Sequence, residues 1–422
     1  MRSRAACLLL PAIFAVCLSG CGRREQVRGN HVTLTLSCWE GPQGLEALNQ
    51  RIGLFRKRHP NVQVEIQQTP GSQYYSKLLI QFAGGNPPDI MQLAYDQLPR
   101  FAAKGTLAPL DDLIRDDRFP LHAMFPELLP ALRYKGITYG LPRGWTTFVM
   151  FYNKDRFRAA GVPFPRAGWT WDEFLAVCKR LQAKAGRHEF AFSTETQLDS
   201  VAPWLWSNGG DYYDTGRTHT LLDRPEAIES FEFLQDLVVK HHVAPLPSQA
   251  QDFGGPSEMF LIGKQAMTVG ARVACMAFRP ATFEWDIVPL PVKRKPATVL
   301  FCNCYVLRRN GPHLNEAWEL MQFLCGPEGQ AFQASTGRDM PSFRSVAYSP
   351  VFVDPKNPPE HDKVFLNVVP QARPLPVDVY SAEINELITT KIRLILTGQE
   401  QVRPALDEIA PKVNKLLKEK WY

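Results

Sequence analysis

The amino-terminal part of the chain repeats one pattern, in which a strand-like segment is followed by a helix-like segment. Residues 31–37 and 62–66 alternate apolar and polar side chains, as a half-buried strand does, and residues 90–94 form a short apolar run. Between them, residues 44–58 and 74–83 place apolar side chains at helical spacing. Because strands joined by crossover helices pair in parallel, this order predicts a doubly wound α/β lobe.

Later parts of the chain hold further strands and helices without an internal repeat. Residues 146–152 are rich in β-branched and aromatic side chains and are predicted to form a strand. Residues 170–183 are predicted to form a helix, with Thr170 as its N-cap and Glu173 as the capping-box partner. Other helices are predicted at residues 225–240, 314–325, 380–396 and 401–418, and other strands at residues 266–269 and 287–290. A chain of 422 residues is long enough for two such domains.

The first residues have the composition of an export signal. Two arginines precede an apolar stretch, residues 5–18, that is too short to span a membrane as a stable helix. The stretch ends in Leu-Ser-Gly-Cys at residues 18–21, which resembles the cleavage site of bacterial lipoprotein signals. This resemblance implies a signal peptide at residues 1–20, an anchoring lipid such as palmitate on Cys21, and a tether over residues 21–30.

Charge and cysteine content bear on two questions, whether the chain binds nucleic acid and whether it forms disulfides. The formal net charge is +6 and no dense Lys/Arg block occurs, so we expect no nucleic-acid partner. Of nine cysteines, two lie in the predicted signal peptide and one is the predicted lipidation site. The others are Cys38, Cys178, Cys275, Cys302, Cys304 and Cys325. These thiols could pair outside the cytoplasm, but spacing alone leaves their connectivity open, and buried free thiols are an equal alternative.

Motifs for catalysis are absent from the sequence. No GxSxG, HExxH or Walker A motif occurs, and His241 and His242 have no metal-ligand partner at the required spacing. The adjacent acids Asp111 and Asp112 fit a turn or an N-cap better than the separated carboxylates of a glycosidase. We therefore expect no catalytic residue, no metal and no cofactor. A secreted carbohydrate-active enzyme stays the weaker alternative.

Several segments follow one another in the order of one bacterial protein family. Examples are Ala-Gly-Gly-Asn-Pro-Pro-Asp-Ile at residues 83–90 and Trp-Thr-Trp-Asp-Glu-Phe at residues 169–174. The other segments are residues 75–79, 105–112, 136–142, 151–157, 160–162, 208–211 and 263–267. Each segment is weak by itself, but together the set resembles the extracellular solute-binding proteins of ABC importers. The carbohydrate-binding, maltose-binding-protein-like branch is the most similar.

This resemblance implies a type II periplasmic-binding-protein fold, with two doubly wound α/β lobes joined by a multi-segment hinge. Lobe one is expected at residues 31–143 plus 297–345, and lobe two at residues 144–296 plus 346–422. Such a protein captures a sugar, an oligosaccharide or a sugar derivative between its lobes and delivers it to the membrane subunits of an ABC transporter. We expect a monomer in the cell envelope, at the periplasmic or extracellular face. A non-sugar solute such as a polyamine or an iron chelate remains an alternative.

A sugar site needs aromatic rings for stacking and carboxylates, amides or arginines for hydrogen bonds, placed on loops at the carboxyl ends of strands. In the family, the loop after the first strand contributes to the cleft, and an Asp at the position of Asp96 contacts sugar. The candidates on this basis are Trp39, Glu40, Gln68, Tyr95, Asp96, Arg143, Trp145, Asp199, Trp206, Gly209, Gly210, Arg272 and Asn303. Three departures from the family leave the sugar class open. Gln97 stands where maltose-binding protein has Arg, Val273 replaces a frequent Trp, and Asn303 lies between two cysteines in an expected loop.

Overall fold

The computed structural model describes residues 31–193, 195–354, 357–377 and 381–419. The predicted signal peptide, Cys21 and the tether before residue 31 lie outside the described residues. No helix within the described ranges is long and apolar enough to cross a membrane.

Strands and helices interleave along the chain. The strands are β1 (Val32–Cys38), β2 (Val62–Gln68), β3 (Ile90–Ala94), β4 (Arg133–Tyr134), β5 (Ile137–Thr138), β6 (Gly140–Thr147), β7 (Val149–Asn153), β8 (Phe190–Ser193), β9 (Gln265–Gly270), β10 (Trp285–Val288), β11 (Thr298–Leu307) and β12 (Ala372–Arg373). The helices are α1 (Pro42–Arg58), α2 (Gly71–Ala83), α3 (Leu98–Ala103), α4 (Asp111–Asp116), α5 (Lys154–Ala159), α6 (Trp171–Gln182), α7 (Leu198–Ser207), α8 (Pro225–Val239), α9 (Pro247–Asp252), α10 (Pro256–Leu261), α11 (Val273–Phe278), α12 (Leu314–Cys325), α13 (Pro327–Ser335), α14 (Arg344–Ala347), α15 (Val364–Asn367), α16 (Ser381–Leu396) and α17 (Val402–Glu419). Short 3-10 turns lie at Leu121–Ala123, Pro126–Leu132 and Val369–Gln371.

The first sheet contains the predicted parallel strands. Its order is β12-β11-β3-β1-β2, and β6 also pairs with β11. The strand β1 runs parallel to β2 and β3, as predicted, whereas β11 runs antiparallel to β3 and β6. Asn303 lies within β11, opposite Ala94, so the loop expected around Asn303 is wrong. The reason is that Cys302 and Cys304 are fully buried between neighbouring strands, as in a central strand.

The second sheet has the order β10-β7-β9-β8. Only β8 and β9 are parallel, whereas β7 runs antiparallel to both β9 and β10. The single strand predicted at residues 146–152 is in fact two strands in different sheets. The strand β6 ends at Thr147 in the first sheet and β7 begins at Val149 in the second. The aromatic, β-branched composition is the same on both sides of this crossing, so the sequence pattern does not mark it.

The crossing at Phe148 is fixed by one side chain of β11. The Thr298 hydroxyl donates to the Phe148 carbonyl at 2.7 Å and accepts from the Phe148 N–H at 3.2 Å. The chain returns to the first sheet through residues 289–297 and leaves it again after Arg373 at the end of β12. Three crossings therefore join two lobes, each built around one sheet.

The crossings differ from the expected lobe boundaries. The expected boundary at 143/144 falls inside β6, so the first sheet extends beyond it to Thr147. The segment after residue 345 contacts both lobes. Its strand β12 pairs with β11 of the first sheet, whereas its Asp362 forms an ion pair with Arg272 of lobe two.

The buried apolar side chains form two clusters, and the first of them contains residues of both sheets, such as Leu36 of β1 and Phe151 of β7. In lobe one, α1 buries Leu48, Ile52 and Phe55 against the first sheet. In lobe two, Trp171 stacks on Phe233 with ring centroids 4.3 Å apart. Full burial of such side chains stabilises the fold by roughly 1.5–3 kcal/mol each. The capping box predicted for α6 is confirmed, because the Thr170 side chain accepts from the Glu173 N–H and Glu173 accepts from the Thr170 N–H.

The six cysteines of the described part of the chain are all buried free thiols. Burial raises the pKa of Cys304 to about 12, so this thiol stays protonated. The sequence left disulfide pairing and buried free thiols as alternatives, and the structure has the free thiols.

Candidate functional site

A cavity of about 250 Å³ lies between the lobes at the crossing segments and is called the hinge cavity here. Both lobes contribute to it. Its lining residues are Gly144, Trp145, Thr146, Phe148, Asp199, Ala271, Val273, Phe301, Asn303, Arg338 and Asp339. Three predicted site residues therefore meet in one place: Trp145, Asp199 and Asn303. The carboxyl ends of β3, β6 and β9 lie on the side of the sheets that carries this cavity. Open α/β sheets bind their ligands at the carboxyl ends of the strands.

Aromatic rings form one wall of the hinge cavity. Trp145 is buried, and its indole N–H donates to the Pro341 carbonyl at 3.0 Å. Phe301 receives the edge of Tyr95, with ring centroids 5.4 Å apart at an interplanar angle of 89°. The Tyr95 hydroxyl is used in the structure, because it accepts from the Leu375 N–H at 3.1 Å. Tyr95 thus supports the wall, and its hydroxyl oxygen is already an acceptor for the Leu375 N–H.

Three carboxyl groups are close to one another here: Asp199 lines the hinge cavity, whereas Asp96 and Glu195 do not line it but act on Asp199 or are acted on by it electrostatically. Asp96 follows β3, and its Oδ1 is buried without a hydrogen-bond partner among the described residues, while Gln97 donates to Oδ2 at 3.2 Å. Burial raises the pKa of Asp96. Burial also raises the pKa of Asp199, and the negative charge of Asp96 adds to that effect. Glu195 has a raised pKa through burial and the nearby Asp199. These acids are poorly compensated and suited to bonding hydroxyl groups of a ligand.

An ion-pair network supports the floor of the cavity. Arg143 Nη2 lies 2.5 Å from Glu40 Oε1, and Arg143 Nη1 lies 3.1 Å from Asp339 Oδ2. Glu40 also pairs with Arg338. Burial by itself raises the pKa of Glu40, but the charges of Arg143 and Arg338 outweigh it, so the pKa of Glu40 is lowered. Two predicted site residues, Glu40 and Arg143, are therefore partners of each other beneath the ligand space.

Two further predicted residues lie beside this floor. Trp39 is half-buried, with its ring edge-on to Tyr74 at a centroid distance of 4.9 Å. Gln68 is exposed, and its amide donates to the Glu40 carbonyl at 3.2 Å. Neither residue lines the hinge cavity.

Arg272 does not offer the free polar contact expected from the sequence. Its guanidinium is buried, pairs with Asp362 and lies over the ring of Phe352 at 4.7 Å and that of Phe365 at 5.4 Å. The charge of Arg272 is already matched by Asp362. Through this ion pair, Arg272 joins lobe two to the segment after residue 345. The sequence could not show this because Asp362 lies in a proline-rich stretch without periodicity.

Trp206 and the glycines that follow it lie apart from the hinge cavity. The Trp206 indole donates to Asp211 at 3.1 Å, and the Arg373 guanidinium lies 4.0 Å from its ring centroid. Gly209 and Gly210 line a separate cavity of about 630 Å³, together with Asp211 and Arg373. We expected one tryptophan of α7 to face the cleft; Trp204 and Trp206 are both buried and neither lines the hinge cavity.

A larger cavity of about 680 Å³ adjoins the hinge cavity and is called the outer cavity here. Its residues come from the start of α1, from α11 and from the end of α13: Gly41, Pro42, Gln43, Gly44, Ala47, Val273, Met276, Ala277, Arg279, Pro280, Gln333, Thr336 and Arg338. Val273 and Arg338 line both cavities, so they mark the junction. Val273 is 48% exposed, at the position where the sequence departs from the family.

Sequence reasoning missed Phe148, Phe301, Arg338 and Asp339 of the hinge cavity. One signal was available for Phe301, because it stands two residues before Asn303 and alternate strand residues share a face. Arg338 and Asp339 lie between α13 and α14 and belong to none of the segments that carry the resemblance.

One group of side chains has the spacing of a metal site. Ligand atoms of Asp286, Glu360 and His361 lie within 4.8 Å of one another. Asp286 Oδ2 is 2.6 Å from His361 Nδ1, and Lys154 Nζ is 3.3 Å from Glu360 Oε2. These contacts explain the cluster without an ion, and none of its residues lines either cavity.

Comparison with known proteins places this geometry among transport receptors. A family model described as bacterial extracellular solute-binding protein matches residues 40–331. An uncharacterised lipoprotein of Streptomyces antibioticus is 28% identical over 348 residues, which cover 78% of this chain and 73% of that protein. The maltotriose-binding protein of Pyrococcus abyssi is 26% identical over 250 residues, which cover 59% of this chain and 51% of that protein.

A solved structure shows the same fold. An ABC substrate-binding protein from Listeria monocytogenes, in complex with cycloalternan, superposes with a TM-score of 0.84 at 25% sequence identity. The match covers 92% of this chain and 99% of that one. The predicted type II fold of two α/β lobes is confirmed by this similarity.

Proposed function

This chain belongs to the bacterial extracellular solute-binding protein family, and we propose that it captures a sugar or oligosaccharide between its lobes for an ABC importer. The observation that carries the proposal is the composition of the hinge cavity. Aromatic side chains from the first sheet stand beside a carboxyl group from lobe two and the Asn303 amide from β11. Rings suit the flat CH faces of a sugar, and carboxyl and amide groups suit its hydroxyls.

The relatives support a carbohydrate as the ligand. One is a maltotriose-binding protein, and the Listeria protein holds cycloalternan. Capture works through contacts that only the closed arrangement provides. A ligand held by Asn303 of lobe one and Asp199 of lobe two stabilises closure, because its contacts with both sides are lost when the lobes separate. The membrane subunits of the transporter then distinguish the loaded protein from the empty one.

The protein acts outside the cytoplasm, in keeping with its family. We propose that residues 1–20 are removed and that Cys21 carries the lipid that anchors a monomer to the membrane. The lipoprotein name of the Streptomyces relative supports this anchor. The protein performs no catalytic step in this proposal and needs neither a cofactor nor a metal.

Thermal shift of the mature chain against a panel of oligosaccharides tests the proposal. A ligand that binds only the folded state raises the melting temperature with its concentration, and tryptophan fluorescence changes with closure. The panel also includes a polyamine and an iron chelate. A shift with either of these alone, or release of shorter sugars from an oligosaccharide, would contradict sugar capture.

A further inference from the structure

Two arginines from opposite lobes face the outer cavity. Arg279 ends α11 in lobe two, and Arg338 follows α13 in lobe one. The side chains that line the outer cavity include no carboxylate. A ligand there meets two positive charges, and the acid that pairs with Arg338, Glu40, is buried and does not line the cavity. The hinge cavity differs in being lined by the acids Asp199 and Asp339.

Arg279 has an unmatched charge. Its side chain is exposed and makes no hydrogen bond or ion pair within the described part of the chain. Its guanidinium nevertheless reaches across to lobe one, because a Cβ atom added at Gly337 would lie 2.7 Å from Arg279 Nη2. The absence of a side chain at Gly337 leaves room for this approach.

The charge of Arg338 is only partly matched. Its partner Glu40 is shared with the buried Arg143, and Arg143 also takes Asp339. At the outer cavity itself, the two guanidinium groups of Arg279 and Arg338 therefore share one paired carboxylate, that of Glu40, within the described part of the chain. The excess is positive and borders the outer cavity.

One amide adds a polar contact to these charges. The helix α1 also begins at the cavity, with Gly41 as its N-cap, but its positive end is already matched by Glu40, since a Cβ atom added at Gly44 of the first turn would collide with Glu40 Oε2. An anion in the outer cavity would therefore be held by the two arginines and not by the helix end. Gln333 is 3% exposed and lines the same cavity, and its Oε1 has no partner in the described structure. A buried unbonded acceptor calls for a hydroxyl donor on the ligand.

We propose that the outer cavity binds an anionic group, a carboxylate or a phosphate, carried by the same sugar whose neutral part occupies the hinge cavity. The arginine forks of Arg279 and Arg338 match such groups in geometry as well as charge. Because Val273 and Arg338 line both cavities, one ligand can extend from one to the other. This inference rests on the proposed sugar capture and names the ligand class as acidic sugars.

Matched pairs of sugars test the inference. Oligogalacturonides are compared with galacto-oligosaccharides of equal length for the carboxylate, and glucose 6-phosphate with glucose for the phosphate. We expect the acidic member of at least one pair to bind the mature protein roughly tenfold more tightly at low salt, with the advantage shrinking as salt is added. The pair that shows the preference identifies the anionic group.

Two variants tie the preference to the cavity. Arg279→Gln should remove the preference for the acidic member and leave affinity for the neutral one unchanged. Arg187→Gln, an exposed arginine that lines neither cavity, should keep the preference. Equal or tighter binding of the neutral members, or a preference that survives Arg279→Gln, overturns the inference while sugar capture stands. Failure of every sugar to bind overturns the proposed function itself.

Discussion

Arg143 and Glu40 form a buried ion pair, Nη2 to Oε1 at 2.5 Å, directly beneath the space between the lobes. Both side chains are almost fully buried, with exposed fractions of 2% and 1%. Glu40 stands at the end of the loop after β1, and Arg143 lies in β6 near the crossing at Phe148. The pair thus joins the first strand of the chain to the strand that leads out of lobe one.

Removing the carboxylate from this pair should destabilise the protein strongly. Glu40→Gln leaves Arg143 buried with only Asp339 as its partner, and breaking a buried pair in this way costs about 3–5 kcal/mol. Denaturant unfolding measures the loss. Glu328→Gln is the matched control, because its pair with Arg58 is exposed and should contribute little. Equal effects of both substitutions would contradict a stabilising role for the buried pair.

The same pair should make stability depend on pH on the acid side. The pKa of Glu40 is lowered in the folded protein from its ordinary value of 4.5. Its contribution is therefore complete above 4.5 and is lost as the pH falls through the lower folded value. Unfolding curves from about pH 6 down to about pH 3 should show a steeper loss for the wild type than for Glu40→Gln. Parallel curves would show that Glu40 does not titrate in this window.

The contribution of Asp96 to folding stability should change with pH in the opposite direction to that of Glu40. Burial raises its pKa above the ordinary 3.8, so its ionisation increasingly opposes folding as the pH rises from 3.8 to the folded value. Asp96→Asn should make the ligand-free protein more stable at neutral pH and weaken sugar binding by at least about tenfold, through loss of a charged acceptor. Melting temperatures with and without sugar measure both effects. Unchanged affinity would remove Asp96 from the site.

Gly44 should be intolerant of a side chain although it lies in a helix. A Cβ atom there would collide with Arg338 Nη1 and Glu40 Oε2, so Gly44→Ala should displace their ion pair and cost about 1–3 kcal/mol. A Cβ atom at Gly53 of the same helix would have nothing within 4 Å, and Gly53→Ala should stabilise by about 0.5–1 kcal/mol. Thermal unfolding compares the two. Similar stabilities of both variants would contradict crowding at Gly44.

Val273 should control how long a sugar the protein accepts. It stands at the junction of the two cavities with 48% of its surface exposed, so Val273→Trp can be accommodated without disturbing a core. The larger ring should block the passage and weaken binding of longer oligosaccharides by at least about tenfold, with less effect on monosaccharides. Ile262→Trp, an exposed position outside both cavities, serves as the control. Calorimetry with a series of oligosaccharides of increasing length measures the effect. An equal loss of affinity for every length would contradict this role.

Local patterns in the sequence were sufficient for the first strands and helices of lobe one. The alternation in β1 and β2 and the helical spacing in α1 reflect burial on one face, which residue order determines directly. The Thr170 capping box is equally local. The split of residues 146–152 into β6 and β7 was not predictable in this way, because burial is continuous through a crossing between two sheets.

The candidate site was only partly predictable for a related reason. Trp145, Asp199 and Asn303 reach the hinge cavity, and of these Trp145 stands beside a segment that resembles the family. Arg272 could not be assigned correctly, because its partner Asp362 is distant in sequence and their contact depends on the third crossing. Arg338 likewise meets Glu40 only through tertiary folding. Residues whose role depends on a distant partner leave no periodic signal.

The Thr298 hydroxyl holds both backbone groups of Phe148, so the shortest connection between the lobes has almost no slack. Any opening of the cleft must therefore come from rotation about a few backbone bonds near Phe148. The longer connecting segments at the other two crossings must adjust to that rotation. The two lobes can therefore move relative to one another mainly by rotation about a hinge at Phe148. Under the proposed function, a bound sugar sets the angle between surfaces far from it, and that angle offers a transporter a signal separate from the sugar itself.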